Sequence, residues 1–165
     1  MKKSSGKLKM IGIAVIIFLN VASSYSQSLW NMAKNNKEVL KLSIWFTAQD
    51  VDQFLSNPAG LNDAVNWCKK YGITKVYLEA FGRGLYANRN TLVNAKDRFL
   101  KEGLEVSGGV TPTDGPDNFS EAKCYTVRSR QEGLQRMFEY TASIFDEIII
   151  DDWFFTTCQC DECVK

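Results

Sequence analysis

The chain reads as an α/β protein built on a parallel sheet, and three observations predict this. Apolar strand-like segments end near Phe46, Glu79, Val110 and Asp151, at intervals of 33, 31 and 41 residues, with one helical pattern inside each interval. That is the period of βα units, which join parallel strands through right-handed crossovers. The last segment carries Ile148, Ile149 and Ile150, a wholly apolar β-branched run that suits a strand buried on both faces. The turn after the first segment, Thr47-Ala48-Gln49-Asp50, has no glycine, whereas doubly wound nucleotide-binding sheets mark that turn with a glycine-rich loop. The expected architecture is therefore the first four strands of a (β/α)8 barrel, a fold that needs roughly 250 residues when whole. A small doubly wound parallel sheet is the alternative.

In chain order, residues 1–26 form the first unit. Lys2, Lys3, Lys7 and Lys9 make a basic head, Met10 to Val21 an apolar run, and Ala22 to Ser26 a tail of mostly small residues. This is the pattern of a secretory signal peptide, with an apolar core too short for a membrane span. Residues 27–38 are a lead-in, and 39–165 the first half of the barrel-like domain. Val39 to Phe46 is the first strand. Asn57 before Pro58 predicts a helix start, with proline at the first helical position. Leu61, Ala64, Val65 and Cys68 then form an inward stripe, and Gly72 ends the helix because it adopts positive φ cheaply.

Lys75 to Glu79 is the second strand. A helix from about Asn90 to Glu102 turns Leu92, Ala95, Phe99 and Leu100 inward, and Glu105 to Val110 is the third strand. A loop rich in Thr, Asp, Gly and Pro runs from Thr111 to Arg128. Ser129-Arg130-Gln131-Glu132 has the form of a capping box opening the third helix. That helix carries Leu134, Met137, Phe138, Ala142 and Phe145 inward, and Glu147 to Asp151 is the fourth strand.

Composition removes several function classes. Without the leader, 139 residues remain, enough for one modest core. The leader holds four of the 20 basic residues and no acid, so the exported chain has a net charge of −3. That charge leaves no footprint for nucleic acid or for a membrane surface once the leader is gone. The chain contains no histidine, which excludes a Ser–His–Asp triad, a histidine general base and every histidine-containing metal site. Acid–base chemistry must rest on Asp and Glu. The expected location is exported, periplasmic or secreted.

The fourth strand delivers Asp151 and Asp152 to its carboxyl end, where parallel α/β folds place their chemistry. Adjacent residues on a strand point to opposite faces, so one of the two aims into the site and the other orients or caps. Both are candidate catalytic residues, Asp152 preferred. Two acids followed by Trp153, Phe154 and Phe155 are costly to desolvate unless used. Glu79 and Arg83, at and beyond the second strand's end, suit either hydrogen bonding to polyols or a simple ion pair across the turn, and Trp45 at the end of the first strand reads first as a core aromatic and second as a candidate stacking surface for a sugar. Cys124 joins Cys158, Cys160 and Cys163 on loops after the third and fourth strands. Four thiolates suit a closed structural zinc site; disulfides are the alternative in an exported chain. Cys68 reads as a buried free thiol.

The segments VYLEAFGRG, VSGGVTP, CYT and FDEIIIDDWFFTTCQCDEC resemble secreted glycoside hydrolases with a TIM-barrel catalytic domain, of the kind found in Bacteroidetes. The likeness runs from about Leu42 to Cys163. The cysteine layout is similar to that of the zinc-bearing β-galactosidases, in which one cysteine after the third strand joins a C-x-C-x-x-C after the fourth. That resemblance implies structural zinc on Cys124, Cys158, Cys160 and Cys163, and a carbohydrate substrate. Those β-galactosidases end the fourth strand in Asn-Glu, where this chain has Asp151-Asp152. Glycosidases use two carboxylates flanking the scissile bond, and in such barrels the second comes from a later strand. The expectation is a glycoside hydrolase-like N-terminal half, inactive alone, whose partner is the missing C-terminal half of the barrel. The other reading is a non-catalytic carbohydrate-binding or zinc-stabilised exported domain.

Overall fold

The computed structural model describes residues 28–112, 124–151 and 158–164. The expected leader and the segment from Asp152 to Phe155 lie outside them. Ser28 caps a short helix, α1 (Leu29–Asn35), by accepting from the Asn31 N–H. The lead-in expected over 27–38 thus contains a helix. Strand β1 (Ser43–Phe46) follows, shorter than the expected Val39 to Phe46. Its partner supplies the reason: the parallel ladder starts at Ser43 opposite Lys75, and Val39 and Leu40, ahead of any ladder, are exposed.

Thr47 and Asp50 form a reciprocal capping box that opens α2 (Ala48–Asp50), which runs on as a π turn over Val51–Leu55. α3 (Pro58–Lys70) starts as the sequence indicates, with the Asn57 side chain accepting from Gly60 N–H at 2.7 Å. It ends where Gly72 takes φ +69°. β2 (Lys75–Gly82) continues three residues past the expected Glu79. It then folds back into β3 (Leu85–Tyr86) through Arg83 and Gly84. Both turn residues have positive φ, 53° and 77°, the backbone that joins tightly twisted antiparallel strands.

α4 (Arg89–Lys101) and β4 (Glu105–Val110) match their expected spans to within a residue. α5 (Arg128–Ala142) opens without the expected capping box: Val127 holds the cap position and no side chain caps the helix. Arg128 Nε instead pairs with Glu132 Oε1 at 3.0 Å, one turn along, so that carboxylate stays on the helix face.

β5 (Ile148–Ile150) completes a sheet of order β1-β2-β4-β5, all parallel, with β3 antiparallel on β2. The fold is α/β with a parallel sheet. Leaving the hairpin aside, each strand pairs with the next along the chain. Val76, Leu78 and Ala80 of β2 are fully buried with Val51, Val65, Leu92 and Phe99. Gly108 lets the segment around Thr141 and Phe145 lie directly on β4.

Strand alternation sends the remaining side chains to the opposite face. There Trp45 lies beside Tyr77, with ring centroids 5.8 Å apart, and over Gly109, where any Cβ would fall 2.4 Å from the indole. At the amino ends of the strands this face is ionic, with Lys75 to Glu147 at 2.6 Å and Lys41 to Glu105 at 2.8 Å. Burial of β5 on both faces is not found: Ile149 and Ile150 are 38% and 42% exposed. β5 is an edge strand among the described residues, with β4 its neighbour on one side only.

Candidate functional site

Because the four strands run parallel, their carboxyl ends form one rim. Glu79 on β2 lies at its centre, 4% exposed. Glu79 Oε2 accepts from the Ala48 N–H at 2.7 Å, at the start of α2. Its Oε1 is hydrogen-bonded to the Thr111 hydroxyl, one residue beyond β4. The same Thr111 Oγ1 lies 3.2 Å from Asp151 Oδ2, one residue beyond β5. Backbone bonds hold these groups in register: Thr111 N–H donates to Phe81 O at 2.8 Å and Asp151 N–H to Val110 O at 3.0 Å. One polar chain therefore crosses the rim from α2 to β5.

Two local features make room for Glu79. The β2–β4 register slips between Glu79 and Phe81, an irregularity of the sort that re-aims a side chain. Gly82 leaves the space that the Glu79 carboxyl occupies, since a Cβ there would fall 2.3–2.4 Å from the carboxyl atoms and the carboxyl would have to move. Burial pushes the Glu79 carboxyl above its usual range. The Thr111 and Ala48 hydrogen bonds pull it back, the Asp151 charge raises it and the Arg83 charge lowers it, and the net result is upward.

The sequence singles out Trp45, Glu79, Arg83, Asp151 and Asp152 at this end of the sheet. Glu79 and Asp151 come together through Thr111, and Arg83 acts on Glu79 from the β2–β3 turn. Trp45 lies on the same sheet face, half-buried, and also borders an open cleft beside β1 with Phe54, Trp67, Asp50 and Asp63. Asp152 lies outside the described residues. Sequence reasoning missed Thr111 and Gly82. The available signal was position: a hydroxyl directly after β4, and a glycine three residues past a strand-end acid.

The second constellation is sulfur. The four Sγ atoms of Cys124, Cys158, Cys160 and Cys163 lie within 4.8 Å of one another. Cys124 is 3.7 Å from Cys160 and 3.9 Å from Cys163. Four sulfurs on one zinc at about 2.3 Å would stand roughly 3.8 Å apart along each tetrahedral edge, so the donor set fits a metal. A sulfur–sulfur bond is about 2.05 Å, and all five cysteines are free. A turn with Cys163 N–H donating to Cys160 O at 2.9 Å brings the C-x-x-C thiols to one side. Hydrogen bonds from the Thr126 hydroxyl and backbone lower the Cys124 thiol to about 6, favouring the thiolate a metal requires. Cys68 is buried, and desolvation raises its thiol to about 11, which suits an inert core position.

Comparison with known proteins gives two findings. Residues 26–165 match the family model described as probable glycosyl hydrolase, catalytic domain. An uncharacterized protein of Saccharolobus solfataricus is 28% identical over 132 residues, covering 76% of this chain and 22% of the relative. The chain thus spans about a fifth of that relative's length. No solved structure matches the chain. No helix among the described residues is long and apolar enough to cross a membrane.

Proposed function

The chain belongs to the glycosyl hydrolase catalytic-domain family, and from that premise we propose that it carries the acid–base half of a glycoside-hydrolysing site on a (β/α)8 barrel. The observation that carries the reading is the Glu79–Thr111–Asp151 chain at the carboxyl ends of parallel strands, the rim on which such barrels do chemistry. The sequential strand order supports a barrel over a doubly wound sheet, because doubly wound sheets reverse their order at the switch point.

In this reading the polar face of the sheet is the barrel interior, and Trp45 offers a sugar its apolar face. Asp151 and Asp152 supply the carboxylate that protonates the leaving oxygen or receives a proton from water, Asp152 preferred. Strands pairing at the β1 and β5 edges supply the opposing carboxylate, since both Glu79 oxygens are already hydrogen-bonded within the protein. Zinc on the four cysteines ties the segment before α5 to the segment after β5, a structural role that leaves no open position for substrate. The protein acts outside the cytoplasm, where its polysaccharide or oligosaccharide substrates are met.

Release of reducing sugar from a panel of oligo- and polysaccharides, by the protein expressed from its own gene, tests the reading. Asp152→Asn is expected to lower turnover by about 10²–10⁴-fold, the usual worth of a general acid or base, with an unchanged melting temperature. If Asp151→Asn alone has that effect, the catalytic role passes to Asp151. Full activity in both variants, or no hydrolysis of any glycoside, overturns the proposal.

A further inference from the structure

A hydroxyl carries one hydrogen to donate and two lone pairs to accept with. Thr111 Oγ1 stands within hydrogen-bonding reach of Glu79 Oε1 on one side and of Asp151 Oδ2, at 3.2 Å, on the other. Ionised carboxylates only accept. If both acids were charged, Thr111 could satisfy one of them, and the other would face a lone pair. Glu79 cannot turn away. Its other oxygen is held by the Ala48 N–H at 2.7 Å, and Gly82 marks the limit of its space. A single added proton resolves the conflict: the protonated acid donates to Thr111, and Thr111 donates to the other acid.

We propose that Glu79 and Asp151 hold one proton between them through the Thr111 hydroxyl, which makes Glu79 a positioning residue that sets the protonation and orientation of Asp151. At rest Glu79 is the protonated partner, because it is the more deeply buried of the two. When Asp151 needs a proton, Glu79 Oε1–H passes its proton to Thr111 Oγ1, and the Thr111 hydrogen moves to Asp151 Oδ2. The net change is one proton moved from Glu79 to Asp151, with no other reactant. Among the described residues, the Arg83 guanidinium in the β2–β3 turn acts on Glu79 by its charge and the Ala48 N–H on α2 by a hydrogen bond. The Asp50 carboxylate on α2 is committed to Thr47 at 3.0 and 2.7 Å. The inference rests on the strand-end acids being the reacting site, but its test does not require turnover.

Infrared spectroscopy of the full chain, with Glu and Asp carboxyls labelled by carbon-13 in separate samples, reads the proton directly. The expected result is a protonated Glu carboxyl band that persists above the ordinary carboxyl range and is absent in Glu79→Gln. Its titration midpoint should fall in Asp151→Asn, where the neighbouring anion is gone. Thr111→Ser should keep the wild-type titration, and Thr111→Val should separate the two acids, so that Asp151→Asn no longer shifts Glu79. A wild-type chain in which every Glu carboxyl ionises within the ordinary carboxyl range, or a Glu79 midpoint unmoved by Asp151→Asn, overturns the proposal. A shared proton in a protein that cleaves no glycoside leaves this inference standing and removes the hydrolase reading. Hydrolysis without the shared proton does the reverse.

Discussion

Gly108 on β4 is the contact on which the packing of α5 can be judged. Its Cβ position falls 2.5 Å from Phe145 Cδ2 and 2.8 Å from Thr141 Cγ2. Carbon atoms prefer about 3.5–4.0 Å, so Gly108→Ala forces the end of α5 outward by about 1 Å or turns Phe145 off its rotamer. Neither is free, because Thr141 is fully buried and Phe145 nearly so. Overpacking of this kind costs about 1–3 kcal/mol. Removing a glycine from a strand returns roughly 0.5–1 kcal/mol, which leaves a net loss on the order of 1–2 kcal/mol. Gly133 is the control, within α5 and with nothing nearer its Cβ position than Arg136 Nη2 at 3.9 Å. Gly133→Ala should stabilise by about 0.5–1 kcal/mol. Urea unfolding of the three proteins, followed by circular dichroism and compared at equal slopes, gives both numbers. A Gly108→Ala protein as stable as the wild type would show that α5 does not rest on β4 at Thr141 and Phe145.

Protein purified under reducing conditions should carry about one zinc per chain. Cys160→Ser should lose it, and a metal-free wild type would end the zinc assignment. Glu79 makes stability depend on pH with a definite sign. Its folded carboxyl is raised, so the folded state binds the proton more tightly, and stability falls as pH rises from the ordinary carboxyl range through the raised value. Glutamine keeps the shape of the protonated acid without titrating, so Glu79→Gln should gain on the wild type as pH rises above the ordinary carboxyl range. A gap that does not change with pH refutes this. β1 and β5 pair on one side only among the described residues, and exposed apolar edges recruit other chains. Those edges should make the chain self-associate in sedimentation, and a monomer with a sharp two-state melt would show that they are covered.

The features legible in the sequence are those decided within one turn or one strand. Asn57-Pro58 starts α3 and Gly72 ends it because capping and positive φ are local demands. β4 was readable to the residue, since its apolar pattern and its ladder with β2 cover the same stretch. β1 was overread because Val39 and Leu40 have strand-forming side chains but no partner. Ser129 and Glu132 have capping-box chemistry, but Arg128 takes the carboxylate and the cap falls two residues earlier, at Val127. The hairpin of β3 was missed because Arg83 occupies a left-handed position that glycine or asparagine usually signals.

The site shows the same division more sharply. Strand-end acids and clustered cysteines announce themselves by residue type. Cys124 could be matched to the C-x-C-x-x-C motif because parallel connectivity puts successive loops on one rim, and the thiols do gather there. Thr111 carries no such signal. Its importance comes from the register that sets β4 between β2 and β5, which places one hydroxyl between acids that are 32 and 40 residues away in sequence. The isoleucine triplet carries the converse lesson, because its composition suits two buried faces while its edge position leaves Ile149 and Ile150 partly open. Residue type states what a position can do, and strand order decides whether it meets the partner with which to do it. A hydroxyl shared by two carboxylates is chemistry that only strand order could create.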